Sequence, residues 1–284
     1  MTVRTLVDRL ETADQLDRVS EPLRRGVQAV LRGRIREALH GVWLGHPLHP
    51  ALVQVPVGAW VSTAVLDAIP GAHRAATVLT GLGTASAVPA ALAGLNDWAS
   101  LSREQRRTGL VHACANIVAL SLYSGSLMAR LAGNHHLGRR LGYAGLTSAT
   151  LGAYLGGHLS YRQAAAVNQA EAFLRQIPDG WQDLCAQEAL ADGKPLRARI
   201  GEVPVLVTRT EAGVTAMIGH CGHQTGPLAD GELVDVDGAE CLVCPWHGST
   251  FRLADGVVLH GPAATDQPLL RTRVVGGRVQ AALP

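Results

Sequence analysis

The sequence predicts a molecule in two parts: an α-helical bundle of four membrane-spanning segments, then an all-β domain. Three observations carry that expectation. Four apolar stretches of about 20 residues each are long enough to cross a hydrocarbon core of ~30 Å. Beyond residue 180, short runs rich in β-branched residues alternate with Gly- and Asp-containing turns. Charge divides along the same line: residues 1–176 hold 17 Arg against 10 acidic residues, and residues 177–284 hold 8 basic against 13 acidic.

Composition sets the limits. Of 284 residues, 47% are apolar and 17% charged, below the ~25% charged share of soluble domains. Aromatic residues are only 4% and mean hydropathy is +0.14, so the apolarity comes from small aliphatic residues. These values exclude a disordered chain, a collagen-like repeat and a disulfide-stapled miniprotein. A net charge of +2 argues against a nucleic-acid partner.

Residues 1–45 form a polar, Arg-rich N-terminal region with amphipathic helices. Ser20-Glu21-Pro22 reads as the start of a helix running to about Leu39, with Gly41 closing it. No apolar core follows the first charges, so this is not a signal peptide. The Arg24-Arg25 pair is followed by Arg32, Arg34 and Arg36 rather than an apolar run, which weighs against an export signal.

The membrane region covers residues 46–162, with spans at about Ala51–Pro70, Ala75–Leu95, Gly109–Ala129 and Leu141–Leu159. A soluble helix of this length carries a charged face, and three of the four do not. Small residues recur at packing intervals, as in Gly81 and Ala85 or Gly152 and Gly156. With four spans both termini share a side. Thirteen arginines fall on that side and four on the other, which places both termini in the cytoplasm of a multi-pass protein in the cell membrane. A helical linker, 163–180, leads to the β domain at 181–284.

Of five cysteines, Cys114 and Cys185 stand apart. Cys221-Gly-His223 is followed, after 20 residues, by Cys244-Pro-Trp-His247. Thiolates suit iron–sulfur clusters, and two imidazoles replacing two thiolates on one iron make the cluster easier to reduce. Zinc is the competing occupant, because Cys241-x-x-Cys244-x-x-His247 also has zinc spacing. Zinc leaves the Pro-Trp-His-Gly loop without a purpose.

The stretch Cys221-Gly-His223-Gln-Thr-Gly-Pro-Leu228, with Cys244-Pro-Trp-His247-Gly-Ser-Thr-Phe251 and Gly261-Pro262-Ala263, resembles the two cluster loops and the proline loop of Rieske iron–sulfur domains. The resemblance implies one [2Fe–2S] cluster, with Cys221 and Cys244 on one iron and His223 and His247 on the other. It also places Trp246, Gly248, Ser249 and Pro262 around the cluster. Where respiratory members carry a disulfide this chain has Gly226 and Trp246, and where they carry a tyrosine it has Phe251, so the loops resemble the ferredoxin type. Fewer donors to the cluster imply a low potential, and a missing disulfide agrees with a reducing cytoplasm. An oxygenase needs a mononuclear iron site, and after His247 the one remaining histidine is His260.

The implied function is a membrane-anchored carrier of single electrons at the cytoplasmic membrane face. It serves an unidentified reductase or acceptor as a redox component rather than as a stand-alone enzyme. The alternative is a redox sensor whose cluster state controls partner binding.

Four histidines remain. His46, His49, His112 and His158 all fall at the cytoplasmic ends of the expected spans. Ionisable groups at membrane depth face a partner, a cavity or a cofactor. These four either cap helix ends or form a site for haem b, a metal or a quinone, with His112 and His158 facing each other across neighbouring spans. Residues 40–162 also resemble a family of small four-helix membrane proteins of unknown function. The resemblance rests on Gly45-His-Pro-Leu-His-Pro50, Gly94-Leu-Asn-Asp97-Trp98, Gly109-Leu-Val-His112 and Gly156-Gly-His158, and it implies a fold and no chemistry.

Overall fold

The computed structural model describes residues 3–284; Met1 and Thr2, in the polar first segment, lie outside the described residues. The chain divides into two compact units. One holds the chain up to Ile35 together with Pro47–Ala165, and the other holds Arg36–His46 with Ala166–Pro284.

The first unit is helical. Helix α1 spans Val3–Glu11 and α2 spans Asp17–Val30. Helix α2 begins earlier than Ser20-Glu21-Pro22 suggests: Ser20 is buried inside it and Pro22 is accommodated past its first turn. Extended backbone at Leu31 stops α2, and the chain resumes as α3, Gly33–His40. Gly41 ends α3 as expected, with φ of 78°.

Four long helices follow: α4 Leu48–Leu66, α5 His73–Trp98, α6 Arg103–Leu131 and α7 His135–Tyr161. Two of them, α5 and α6, are long and apolar enough to cross a bilayer, with mean hydropathy of 1.5 and 1.4 over 18 residues. His49, Pro50, Gln54 and Pro56 dilute α4, and Arg139, Arg140 and many Gly, Ser and Thr residues dilute α7. The expected four spans thus appear as four long helices, two of which carry a full apolar signal.

Capping fixes where α6 and α7 begin. Ser102 and Gln105 form a capping box at α6, and the Asn134 side chain accepts from the Leu137 amide at α7. At the centre, the Trp60 and Tyr123 rings stack at 4.2 Å. An ion pair is sealed between α4's end and α6. Arg130 donates to both Asp67 oxygens at 2.8 and 2.6 Å, and their side chains are 0% and 4% exposed. At the other end of α6, Arg107 donates to both oxygens of Asp17 and to the Glu11 carbonyl, and Arg106 reaches Glu21. The arginines in the first turns of α6 therefore hold α2 in place.

The chain leaves helical geometry after Tyr161. Ala164 and Ala166 take φ of 52° and 60°, a turn no helix passes through. The linker expected as one helix is therefore irregular, apart from the single turn α8, Glu171–Leu174.

The second unit is β-rich. Strands β1 Gln182–Ala186, β2 Leu196–Ile200, β3 Val203–Thr210, β4 Gly213–Ile218, β5 Glu232–Val236, β6 Ala239–Val243, β7 Thr250–Arg252, β8 Val258–His260, β9 Leu269–Val275 and β10 Arg278–Ala282 form two sheets. The order is β1-β10-β9-β4-β3-β2 in one and β5-β6-β7-β8 in the other. Side chains alternate across β3 and β4. Val205, Val207, Ala216 and Ile218 enter one core. Leu206 and Met217 point into a second core that also contains Cys221, Cys244 and Phe251. Val42, from the short turn after α3, packs against that second core.

Candidate metal centre

Two loops carry the cysteines and histidines, and both follow one backbone design. The first joins β4 to β5: the Cys221 amide donates to Gly226 O at 2.8 Å, and the Thr225 amide returns to Cys221 O at 2.9 Å. The second joins β6 to β7: the Cys244 amide donates to Ser249 O at 2.7 Å, and the Gly248 amide returns to Cys244 O at 3.1 Å. Each fold-back requires a left-handed residue before its last position, filled by Thr225 (φ 56°) and Gly248 (φ 74°). The two loops thereby present their side chains to one another. The His223 and His247 rings meet edge to face at 4.9 Å, and Cys221 and Cys244 are 1% and 2% exposed.

Electrostatics prepares this set for a metal. A hydrogen bond between the two thiols, with Cys221 donating, holds Cys244 below the usual thiol range and pushes Cys221 above it. One thiolate is thus formed readily, and the second forms when a cation replaces the shared proton. Burial, reinforced by His247, pushes His223 down to about 3. His223 is therefore a neutral donor at neutral pH, and its buried Nδ1 has no hydrogen-bond partner.

Residues 180–273 match the family described as "Rieske [2Fe-2S] domain". The ferredoxin component of the alkene monooxygenase system of Xanthobacter autotrophicus is 34% identical over 97 residues, covering 34% of this chain and 76% of that protein. The chain belongs to the Rieske [2Fe–2S] family. A human Rieske domain-containing protein is 47% identical over 45 residues, 16% of this chain, and the chain spans 29% of its length. The solved ferredoxin of Sphingomonas yanoikuyae B1 shares 24% identity over 37% of this chain and 100% of its own, with a TM-score of 0.33. Residues 45–169 match a second family, described as "Predicted membrane protein (DUF2231)".

A Rieske domain implies a [2Fe–2S] cluster, and the residues present fit one. The donor set is two thiols and two imidazoles, that of His223 held neutral by burial and with an orphaned ring nitrogen. Among the described residues, the one group of three or more ligand atoms that all lie within 4.8 Å is Asp8, Glu11 and His158. Cys241 is fully buried on β6 as a core residue. Gly226 leaves room for the ligands: a Cβ there would stand 2.8 Å from Cys244 Sγ. Ser249 is fully buried, hydrogen-bonds to Cys221 and accepts from the Ala263 amide at 3.0 Å, tying the second loop to the Gly261-Pro262-Ala263 loop. Phe251 packs in the core beneath. Trp246 and His247 are exposed, and His223 is half-buried.

Sequence reasoning passed over three supports. Gln267, 1% exposed, accepts from the Gly222 amide at 3.1 Å and donates to Ile218 O and His220 O at 2.7 and 2.8 Å, clamping the first loop. The Gln169 amide donates to Gly222 O at 2.8 Å. From the segment before α4, Glu37 meets His260 Nδ1 at 2.6 Å, and Arg36 and His40 lie close enough to His223 to act on its charge. A lone Gln twenty residues past the motif gives no signal in one sequence.

The four membrane-region histidines do not gather as expected. His112 does not face His158; it meets His49 at 6.3 Å between ring centroids. His158 pairs through Nε2 with Glu11 at 3.1 Å. The expectation failed because His158's partner comes from α1, far away in sequence. His46 belongs to the second unit and is exposed.

Proposed function

We propose that this protein is a membrane-anchored Rieske ferredoxin that passes single electrons at the cytoplasmic face of the cell membrane. In this reading the helical region crosses the bilayer four times and both termini are cytoplasmic, as the arginine distribution argues. The observation that carries the functional reading is the pair of matched loops with a thiol pair and an imidazole pair. Cys221 and Cys244 hold one iron and His223 and His247 the other. The cluster supplies reversible one-electron chemistry when bound.

The protein residues do the rest. Neutral imidazoles keep the net charge of the centre low, so an added electron is less costly. The Ser249 hydroxyl donates toward the Cys221 sulfur and favours the reduced, more negative state. His247 and Trp246 are exposed, and Trp246 is 56% accessible, an apolar surface beside a ligand ring for a redox partner to cover. The related alkene monooxygenase ferredoxin suggests a partner of the oxygenase or reductase class.

The test is the EPR spectrum of the full chain, purified in detergent and reduced with dithionite. A Rieske-type signal with two irons per chain is expected. Zinc in place of iron, with no paramagnetic reduced state, would remove the proposal.

A further inference from the structure

Four helices converge on two imidazoles in the first unit. His49 is on α4 and His112 on α6, with ring centroids 6.3 Å apart and planes at 84°. His49 Nδ1 donates to Ala90 O on α5 at 2.8 Å, and His112 Nδ1 donates to Gly152 O on α7 at 2.8 Å. A carbonyl only accepts, so each Nδ1 carries a proton, and the neutral tautomer of that form has its lone pair on Nε2. The Asn116 amide donates to His112 O at 2.9 Å and lies 3.5 and 3.2 Å from the Nδ1 and Nε2 of that ring.

The backbone is cut away to admit both rings. A Cβ at Gly94 would stand 2.7 Å from His49 Nδ1, and one at Gly156 would stand 3.2 Å from His112 Cε1. A Cβ at Gly152 would stand 2.6 Å from Asn116 Oδ1. These three glycines have no turn to make; each sits within a helix.

Histidines that bind metals show this arrangement: one ring nitrogen donates to a backbone carbonyl, which fixes the tautomer and aims the other nitrogen at the ion. The spacing also matches. Two imidazoles bound at ~2.0 Å to one metal have ring centres roughly 5–6.5 Å apart, depending on the angle at the metal. We propose that His49 and His112 are Nε2 ligands of one transition-metal centre in the helical unit, separate from the iron–sulfur cluster. Two neutral nitrogen donors suit copper, zinc or iron, the last either bare or held in a porphyrin. His46 and His158 take no part. The proposal rests on the helical unit alone and stands whether or not the Rieske assignment does.

The test uses the full chain in detergent, with metal analysis, an absorption spectrum and an EPR spectrum on each sample. As purified, or after titration with Cu(I), Zn(II) or haemin, the protein should hold one metal equivalent beyond the two cluster irons. A Soret band identifies porphyrin iron; copper or zinc without that band identifies a bare ion. His49→Asn and His112→Asn keep an N–H at the Nδ1 position and delete Nε2, so the helix-to-helix hydrogen bonds survive. Each should lower occupancy at least tenfold and leave the cluster EPR signal intact. His158→Ala should keep full occupancy. A protein that holds only two irons and takes up none of the three probes overturns the proposal, as does occupancy that survives both Asn variants. Loss of occupancy in His158→Ala equal to that in the Asn variants would overturn the ligand assignment.

Discussion

In the loop Cys221–Gly226 and in the loop Cys244–Ser249 the same two backbone hydrogen bonds close the same fold-back. Their surroundings differ. The first loop is held from behind by the buried Gln267 and from the side by the Gln169 amide, and its histidine is half-buried. Pro245, Trp246, His247 and Gly248 of the second loop all face solvent, and its anchor is Ser249 beneath. One loop is built as a fixed wall and the other as a contact face. An electron therefore has its short way out along the second loop.

The strongest test of this contrast removes ligands one at a time. Cys221→Ala, His223→Ala, Cys244→Ala and His247→Ala should each abolish the Rieske EPR signal; a normal signal in any of them would end the equivalence of the loops. Next in size is Gln267→Ala, which strips partners from one buried amide and two carbonyls of the first loop. It should destabilise the domain by ~1–3 kcal/mol in thermal unfolding, whereas Trp246→Ala on the exposed loop should leave the unfolding temperature unchanged and slow reduction by a partner. Third comes Ser249→Ala. Losing a donor worth ~1.4 kcal/mol lowers a one-electron potential by about 60 mV, read by redox titration against a parent value expected near −150 mV. The smallest effect separates the two left-handed positions. Thr225→Gly should stabilise the first loop by ~1 kcal/mol, because Thr strains there, and Gly248→Ala should destabilise the second by about as much. Equal signs would mean the φ values do not govern these turns.

The cluster loops were legible because each packs its ligands within four residues of sequence, and the β texture around them is a local pattern. The helical region was legible as four long helices for the same reason, and two of them carry the full apolar signal expected of all four. What escaped was non-local. Glu37 reaches His260, and Glu11 reaches His158, across more than a hundred residues each. His112 was matched to the wrong histidine because depth along a helix was readable and rotation about its axis was not; its ring turns to His49. The buried Arg130–Asp67 pair escaped as well, because nothing in a single chain marks residues 63 positions apart as partners.

The short segment Arg36–His46 has a consequence for how the chain can thread a bilayer. It precedes all four long helices, and Ala166–Pro284 follows them, yet the two build one compact unit joined by the contact of Glu37 with His260. A lipid sheet cannot pass through the middle of a folded unit. In the proposed reading, where the long helices cross a bilayer, both flanks then lie on one side and the number of crossings between His46 and Ala166 is even. Synthesis carries a related consequence: Arg36–His46 waits, without its partner surface, until the strands of the second unit have been made.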